Sequence, residues 1–214
     1  MDLNQENRWL NIISFLFIFS LSVFGLGFDY SKTIVPVLLI FIWMLVTKTQ
    51  LNYLGLKPNM KIWKIIGLAL GAFILTYLIV GLVIMPVVNS LVSEPPDISR
   101  FASVKGNTLE YLKYLGVAWF IAGFGEEVIF RGYIMPKIEE FLGKSNWSKI
   151  AAVLIATFAF GLAHSYQGIS GGLLAGFLGL VFGILYYATK RNLWICIILH
   201  GLIDTASMTF LYLG

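Results

Sequence analysis

The chain alternates between long apolar runs and short polar connections, and the runs are long enough to set the architecture. Crossing the hydrocarbon core of a bilayer takes about 20 apolar residues in a helix. On that scale seven helical segments are predicted: Trp9–Phe28, Thr33–Thr47, Ile62–Leu91, Leu109–Phe141, Ser148–His164, Gly171–Thr189 and Leu193–Leu213. The second is short, as expected of a tilted or partly interfacial helix. The fourth is long, and its two ends, Leu109–Lys113 and Lys137–Phe141, are amphipathic and expected to emerge from the hydrocarbon. After the third segment, Glu94-Pro95-Pro96-Asp97 stops the helix, since proline lacks an N–H and clashes with the preceding turn. The expected fold class is all-α, a polytopic transmembrane helical bundle of about seven spans. Residues 1–108 supply N-terminal transmembrane helices and 109–214 a helical core that holds the candidate chemistry, all in one integrated membrane domain.

Composition agrees with a membrane protein. Of 214 residues, 58% are hydrophobic and 12% charged, with mean hydropathy +0.84; a soluble domain carries about 25% charged residues. The formal charge of +4 calls for no nucleic-acid partner, because multi-pass proteins collect Lys and Arg in cytoplasmic loops. With an internal N-terminus, the inside loops hold Arg8, Lys48, Lys57, Lys61, Lys64, Lys137, Lys144, Lys149, Lys190 and Arg191, against Lys32, Arg100, Lys105 and Lys113 outside. That bias predicts N-in and C-out. The polar start, Met1 to Arg8, leads into an apolar run with no small-residue cleavage signature, as expected of a retained first span. Cys196 is the lone cysteine, so no internal disulfide forms, and it is expected to be a small core residue.

Against this background a few polar residues stand out. Glu126 and Glu127 lie inside an apolar stretch, with Arg131 four residues after the second. His164 and His200 are the chain's two histidines; Phe160 precedes the first by four residues, and Asp204 follows the second by four. Ionisable groups within a membrane are costly and usually functional. In a regular helix, residues four apart share a face and neighbours diverge by about 100°. Glu127 is therefore expected to pair with Arg131, leaving Glu126 as a free carboxylate facing a cavity. Depth is consistent with convergence. Glu126 lies roughly as far before the connection Gly143–Trp147 as His164 lies after it, and His200 lies about 15 Å of helix rise beyond Lys190. The glycine-rich sixth segment, with Gly172, Gly176, Gly179 and Gly183, allows close backbone approach, within one chain or between chains.

These motifs resemble the CPBP family of intramembrane proteases, also called the CAAX protease and bacteriocin-processing or Abi family. The family pattern is Glu-Glu-xxx-Arg, then Phe-xxx-His, then His-xxx-Asn or His-xxx-Asp. It is matched here by Glu126-Glu127-Val128-Ile129-Phe130-Arg131, Phe160-Gly161-Leu162-Ala163-His164 and His200-Gly201-Leu202-Ile203-Asp204. The resemblance runs from about Val117 to Ala206; before it, only the Leu54-Gly55-Leu56 turn matches in more than apolar character. It implies hydrolysis of a peptide bond in a membrane-embedded or lipidated peptide substrate, in the bilayer of a bacterial cell membrane. It implies Glu126 as base for an attacking water, His164 holding that water, Arg131 fixing Glu127, and Glu127 orienting His164. His200 is then the donor to the carbonyl oxygen. Asp204 stands where the family also carries Asn; an ionised Asp cannot donate to an oxyanion, so either it is protonated in its site or, more simply, it orients and charges His200.

Family members are often called metalloproteases. Glu126, His164 and His200, with Asp204, offer N and O ligands that Zn²⁺ accepts, while the His-Glu-xx-His signature is absent. A zinc-bound water and a metal-free, glutamate-activated water use the same residues, and both stay open. Two other functions compete: a non-catalytic membrane partner of the bacteriocin-immunity type, and a small proton-coupled carrier. Three separate polar motifs exceed what a scaffold needs, and no inverted repeat of the kind many carriers show relates the two halves.

Overall fold

The computed structural model describes residues 3–143 and 145–214, with side chains from Trp9 onward. Lys144 and the Arg8 side chain, both counted in the charge bias, lie outside the described residues. Seven helical stretches follow one another: α1 (Leu3–Phe24), α2 (Ser31–Thr47), α3 (Ile62–Leu91), α4 (108–142), α5 (Asn146–Ala163), α6 (Gly168–Ala188) and α7 (Leu193–Leu213). No strand occurs among the described residues. The hydrophobic pattern thus located these seven helices, α3 and α7 to the residue, but not the short 3-10 helices Ser99–Val104 and Ser165–Gln167. The first helix stops four residues short of expectation, because Gly25 takes φ 70° and its N–H closes onto the Leu21 carbonyl. Among the described residues four stretches are long and apolar enough to cross a membrane: α3, α5, α7, and Ser165–Ala188, which contains α6. α1 and α2 add shorter apolar stretches. Large apolar side chains such as Phe17, Leu45, Leu75, Leu82 and Phe158 are exposed on the outside of the bundle, as lipid-facing surfaces require.

The helix that carries the most charge is the one most completely covered. Every residue of α4 from Val128 to Ile134 is buried, as is Glu127. Its core neighbours come from both parts of the chain: Ile18 and Val23 of α1, Ile40 and Trp43 of α2, Phe160 of α5 and Cys196 of α7. α3 is peripheral; it docks Ile65 and Ala69 against Ile195 of α7.

α4 is not a regular α-helix. It begins as α (Thr108–Gly116), widens into π-helix over Val117–Glu126 and Val128–Ile134, and returns to α at Met135–Leu142. α3 does the same on a smaller scale, with π-helix at Val80–Ile84 before Met85–Leu91. In both, proline is the second residue after the π stretch: Pro136 and Pro86. A proline ring removes an N–H and crowds the carbonyl four residues back, and a wider turn relieves the clash. Regular α geometry was assumed in spacing the motifs; the π turns, common at functional sites, re-aim the glutamates without breaking the Glu127–Arg131 pair.

The bundle has two distinct ends. One carries the α1–α2 connection, the 92–107 segment, the α5–α6 turn and the C-terminus, tied together by Asp97 N–H to Gln167 O (2.9 Å), Gly106 N–H to Tyr212 O (3.0 Å) and the Arg100–Asp29 ion pair (3.0 Å). The other carries the 48–61 turn, the α4–α5 connection and the α6–α7 turn. There, Leu193 N–H donates to Gly55 O (3.1 Å), Trp194 Nε1 to Leu56 O (2.8 Å) and Asn59 Nδ2 to Lys190 O (2.9 Å). Gly55 sits at φ 80°, and a Cβ there would lie 2.2 Å from the Arg191 carbonyl oxygen. Gly55→Ala is therefore expected to cost about 1–3 kcal/mol for the backbone conformation alone, plus the clash. A lowered melting temperature of the detergent-solubilised protein is the readout.

Candidate active site

The site forms where α4, α5 and α7 face one another, with α6 closing the back. Its anchor is Glu127. One oxygen, Oε1, accepts from Arg131 Nη1 at 3.0 Å and from His200 Nδ1 at 2.8 Å. Arg131 sends its other arm, Nη2, to the Gly179 carbonyl of α6 at 3.0 Å. The guanidinium lies between aromatic faces, 4.7 Å from the Phe160 centroid and 4.8 Å from that of Phe182. Both Glu127 and Arg131 have side-chain exposure of 0%. A charge pair this dry is held by its mutual bond, a carbonyl dipole and π faces, while Glu127 Oε2 and Arg131 Nε are buried without a hydrogen-bond partner.

The same contacts aim the histidines. Donation from Nδ1 to Glu127 leaves His200 presenting Nε2 outward. Its ring stacks on Phe182, centroids 5.0 Å apart and planes 22° off parallel. His164 at the end of α5 is fixed differently: Nδ1 pairs with the Phe160 carbonyl at 2.8 Å, and its ring lies 4.6 Å from the Phe160 ring. The expectation that Glu127 orients His164 is corrected here. Glu127 serves His200, and a backbone carbonyl serves His164, because α7 and not α5 faces Glu127 across the bundle.

Both free Nε2 atoms face Glu126. Its Oε2 is 3.8 Å from His164 Nε2 and 4.0 Å from His200 Nε2. This oxygen is buried without a hydrogen-bond partner. Asp204 completes the ring, with Oδ2 3.7 Å from His200 Nε2. It faces the outward nitrogen of His200 and not the one that Glu127 orients. Accessibility falls in sequence: Asp204 is 30% exposed, Glu126 and His164 are 16% exposed, and His200 is 7% exposed. All six residues singled out in the sequence thus meet at one place. The first carboxylate is free and the second locked, as the i,i+4 spacing predicted.

Among the described residues, no three His, Cys, Asp or Glu side chains stand close enough together to hold a metal ion. The donor types suit zinc, and the carboxylate and carbonyl partners on the two Nδ1 atoms are the supports that zinc-bound imidazoles use. The spacing of the side chains as they stand does not fit the ion.

Glu126, His164, His200 and Asp204 line a cavity of about 580 Å³. Its walls are mainly apolar, from Val117, Ile121, Leu174 and Leu178, and it reaches the end of the bundle at Tyr30, Arg100 and Tyr166. Lys32 was expected among outside loop charges. It instead lines this cavity from the first turn of α2, donating from Nζ to the Ala163 carbonyl at 2.9 Å. Its signal in the sequence was weak: one lysine at the start of a short span. The glycines of α6 pack inside the chain. Gly161 of α5 lies against Gly172 so closely that a Cβ would sit 2.8 Å from the Gly172 carbonyl oxygen, and this contact draws α6 near enough for the Gly179 carbonyl to receive Arg131.

Fold and site together define a class: a multi-pass helical membrane protein with a glutamate–histidine centre at the base of an apolar cavity. A family model described as type II CAAX prenyl endopeptidase Rce1-like matches residues 108–206. That segment, which carries all six site residues, is similar to the CPBP/CAAX protease family of membrane endopeptidases. No curated protein and no solved structure matches the chain.

Arg131→Met leaves the Glu127 carboxylate buried beside His200 without its cation. A loss of about 3–5 kcal/mol is expected, seen as a fall in melting temperature in detergent. Asp204→Asn, at the accessible edge, is expected to leave that temperature within the scatter of the wild type.

Proposed function

We propose that this protein is an intramembrane endopeptidase of the CAAX type. It hydrolyses a peptide bond in a membrane-associated or lipidated polypeptide, with Glu126 activating the attacking water. The observation that carries this reading is the unpartnered Oε2 of Glu126 facing two histidine Nε2 atoms at 3.8 and 4.0 Å. These gaps are too long for direct hydrogen bonds and match a bridging water: two bonds of about 2.8 Å meeting at about 90° span them.

The chemistry follows from that geometry. Water donates one proton toward Glu126 Oε2 and the other toward His164 Nε2, whose Nδ1–H is committed to the Phe160 carbonyl. As the water oxygen bonds to the scissile carbonyl carbon, Glu126 takes the proton, and negative charge develops on the carbonyl oxygen. His200, charged between Glu127 on one nitrogen and Asp204 near the other, donates its Nε2–H to that oxygen. Collapse of the tetrahedral species breaks the C–N bond, and Glu126 returns its proton to the departing amine. Glu127 and Arg131 touch no reacting atom; they position His200. Asp204 supports the charge on His200 and does not bind the oxyanion. The proton steps above belong to the side chains themselves.

An apolar cavity about 580 Å³ in volume within lipid-facing helices suits an apolar or lipid-bearing segment next to the cleaved bond. Glu126→Gln keeps the shape of the side chain and removes the base. Cleavage of a membrane-peptide library by the purified protein is expected to fall by about 10²–10⁴-fold, with the melting temperature unchanged. His164→Asn is expected to slow the same reaction. Cleavage that persists under chelation supports activation by Glu126 alone; chelator-sensitive cleavage would count against the metal-free mechanism. Equal turnover by wild type and Glu126→Gln would sink the protease reading in favour of the non-catalytic partner.

A further inference from the structure

The cavity holds a lysine that the hydrolytic steps leave unused. We infer that Lys32 is a carboxylate-binding subsite: its ammonium receives a carboxylate of the substrate beside the reacting groups, and so helps to select which peptide bond is presented to Glu126. The inference deepens the proposed peptidase function and rests on it for the word substrate; the placement of Lys32 stands independently of it.

Lys32 stands in the first turn of α2, and the α1–α2 connection sets its side chain in place. Ser31 Oγ accepts from the Leu26 N–H at 3.0 Å. The Lys32 stem lies so close over Gly25 that a Cβ there would sit 2.8 Å from Lys32 Cγ. The stem thus packs on the connection while the charged head reaches into the cavity. Nζ donates to the carbonyl of Ala163, the residue before His164, at 2.9 Å. It also lies 6.0 Å from the centroid of the Tyr166 ring. The subsite is therefore bounded by the end of α5 and the turn that follows, next to the histidine that faces Glu126.

An ammonium has three N–H donors. One is spent on the Ala163 carbonyl, as a lysine does when it caps the C-terminal end of a helix. Lys32 makes no other hydrogen bond and no ion pair among the described residues, so its remaining donors can take a ligand in the cavity it lines. Arg100, also on the cavity lining, differs: its Nη2 is paired with Asp29 at 3.0 Å, and its guanidinium lies 5.0 Å from the Tyr30 centroid. A cation facing mainly apolar walls without a counter-ion is costly. A carboxylate carried in by the substrate supplies that counter-ion through charge-assisted hydrogen bonds. Glu126 and Asp204 repel a further carboxylate from the reacting centre itself, which leaves Lys32 as the place where one settles. Two sources fit this chemistry: the free C-terminus of a chain, or an acidic side chain near the cleaved bond.

The test reads binding with turnover removed. The full chain carrying Glu126→Gln, in detergent, is titrated with a dansylated tetrapeptide of leucine and phenylalanine in three forms: free C-terminal carboxylate, C-terminal amide, and C-terminal amide with one leucine replaced by glutamate. At least one of the two charged forms is expected to bind about 10- to 100-fold more tightly than the uncharged amide. Preference for the first alone assigns a chain terminus, and for the third alone an acidic side chain. Adding Lys32→Met is expected to abolish the preference, and Lys32→Arg to keep it. Lys32→Gln, which retains an N–H donor for the Ala163 carbonyl, is a second uncharged variant and is expected to behave as Lys32→Met does. A lysine that only caps α5 would change the melting temperature and give no preference between charged and uncharged forms. Equal binding of the three forms, no measurable binding of any, or a preference that survives the loss of charge at Lys32 overturns the inference. A charge preference that depends on Lys32, in a protein whose wild type cleaves no better than Glu126→Gln, would count against the peptidase reading alone.

Discussion

The Glu127 carboxylate holds this structure together. An ionised carboxylate buried in an apolar bundle is tolerated only when its neighbours replace water. Here they do so at one oxygen, shared between Arg131 on the same helix and His200 on α7, while the other is buried without a hydrogen-bond partner. Arg131 in turn reaches a carbonyl of α6. One residue thus ties three helices by charge-assisted bonds. The tie has a direction: it consumes the inner nitrogen of His200 and turns the outer one toward Glu126. The stability of the bundle and the aim of the proposed catalytic histidine are therefore one arrangement.

Several features exist to make that arrangement possible. Prolines after the π turns allow α4 to widen where it carries the glutamates. Closely packed glycines on α5 and α6 bring a carbonyl within reach of Arg131. Phe160 serves twice, giving its carbonyl to His164 and its ring to Arg131. The aromatic residues around the site thus do more than fill space. They screen the ion pair from lipid and water and leave the adjacent Glu126 as the carboxylate open to the cavity. Two adjacent glutamates differ in role because the helix turns them to different neighbours.

The cavity combines two environments that a peptidase within a membrane needs. Its walls are apolar enough to receive a lipid-facing segment. Its base holds carboxylates and imidazoles arranged around a water-sized gap. Arg100, Asp29, Tyr30 and Tyr166 add polar groups to its lining at the end of the bundle.

Much of this was legible along the chain. Apolar runs of membrane-spanning length determined that the protein is an all-helical bundle, and they placed α3 and α7 to the residue, because backbone groups in hydrocarbon must be satisfied within the helix. The i,i+4 spacing determined that Glu127 would pair with Arg131 and leave Glu126 free. It also placed Phe160 beside His164. Which histidine Glu127 serves was decided only by the tertiary structure, since it depends on which helix faces α4 across the bundle, and spacing within one helix carries no such information. The π turns before Pro86 and Pro136 were not anticipated from the sequence, and their effect on the aim of the glutamates appears only with the neighbouring helices in place. Lys32 illustrates the same limit: a residue at the start of a span reads as a loop charge until packing against the end of α5 turns it into the cavity. Local periodicity and charge act over a few residues and can be read in order; the meeting of side chains from distant helices is a property of how the helices pack.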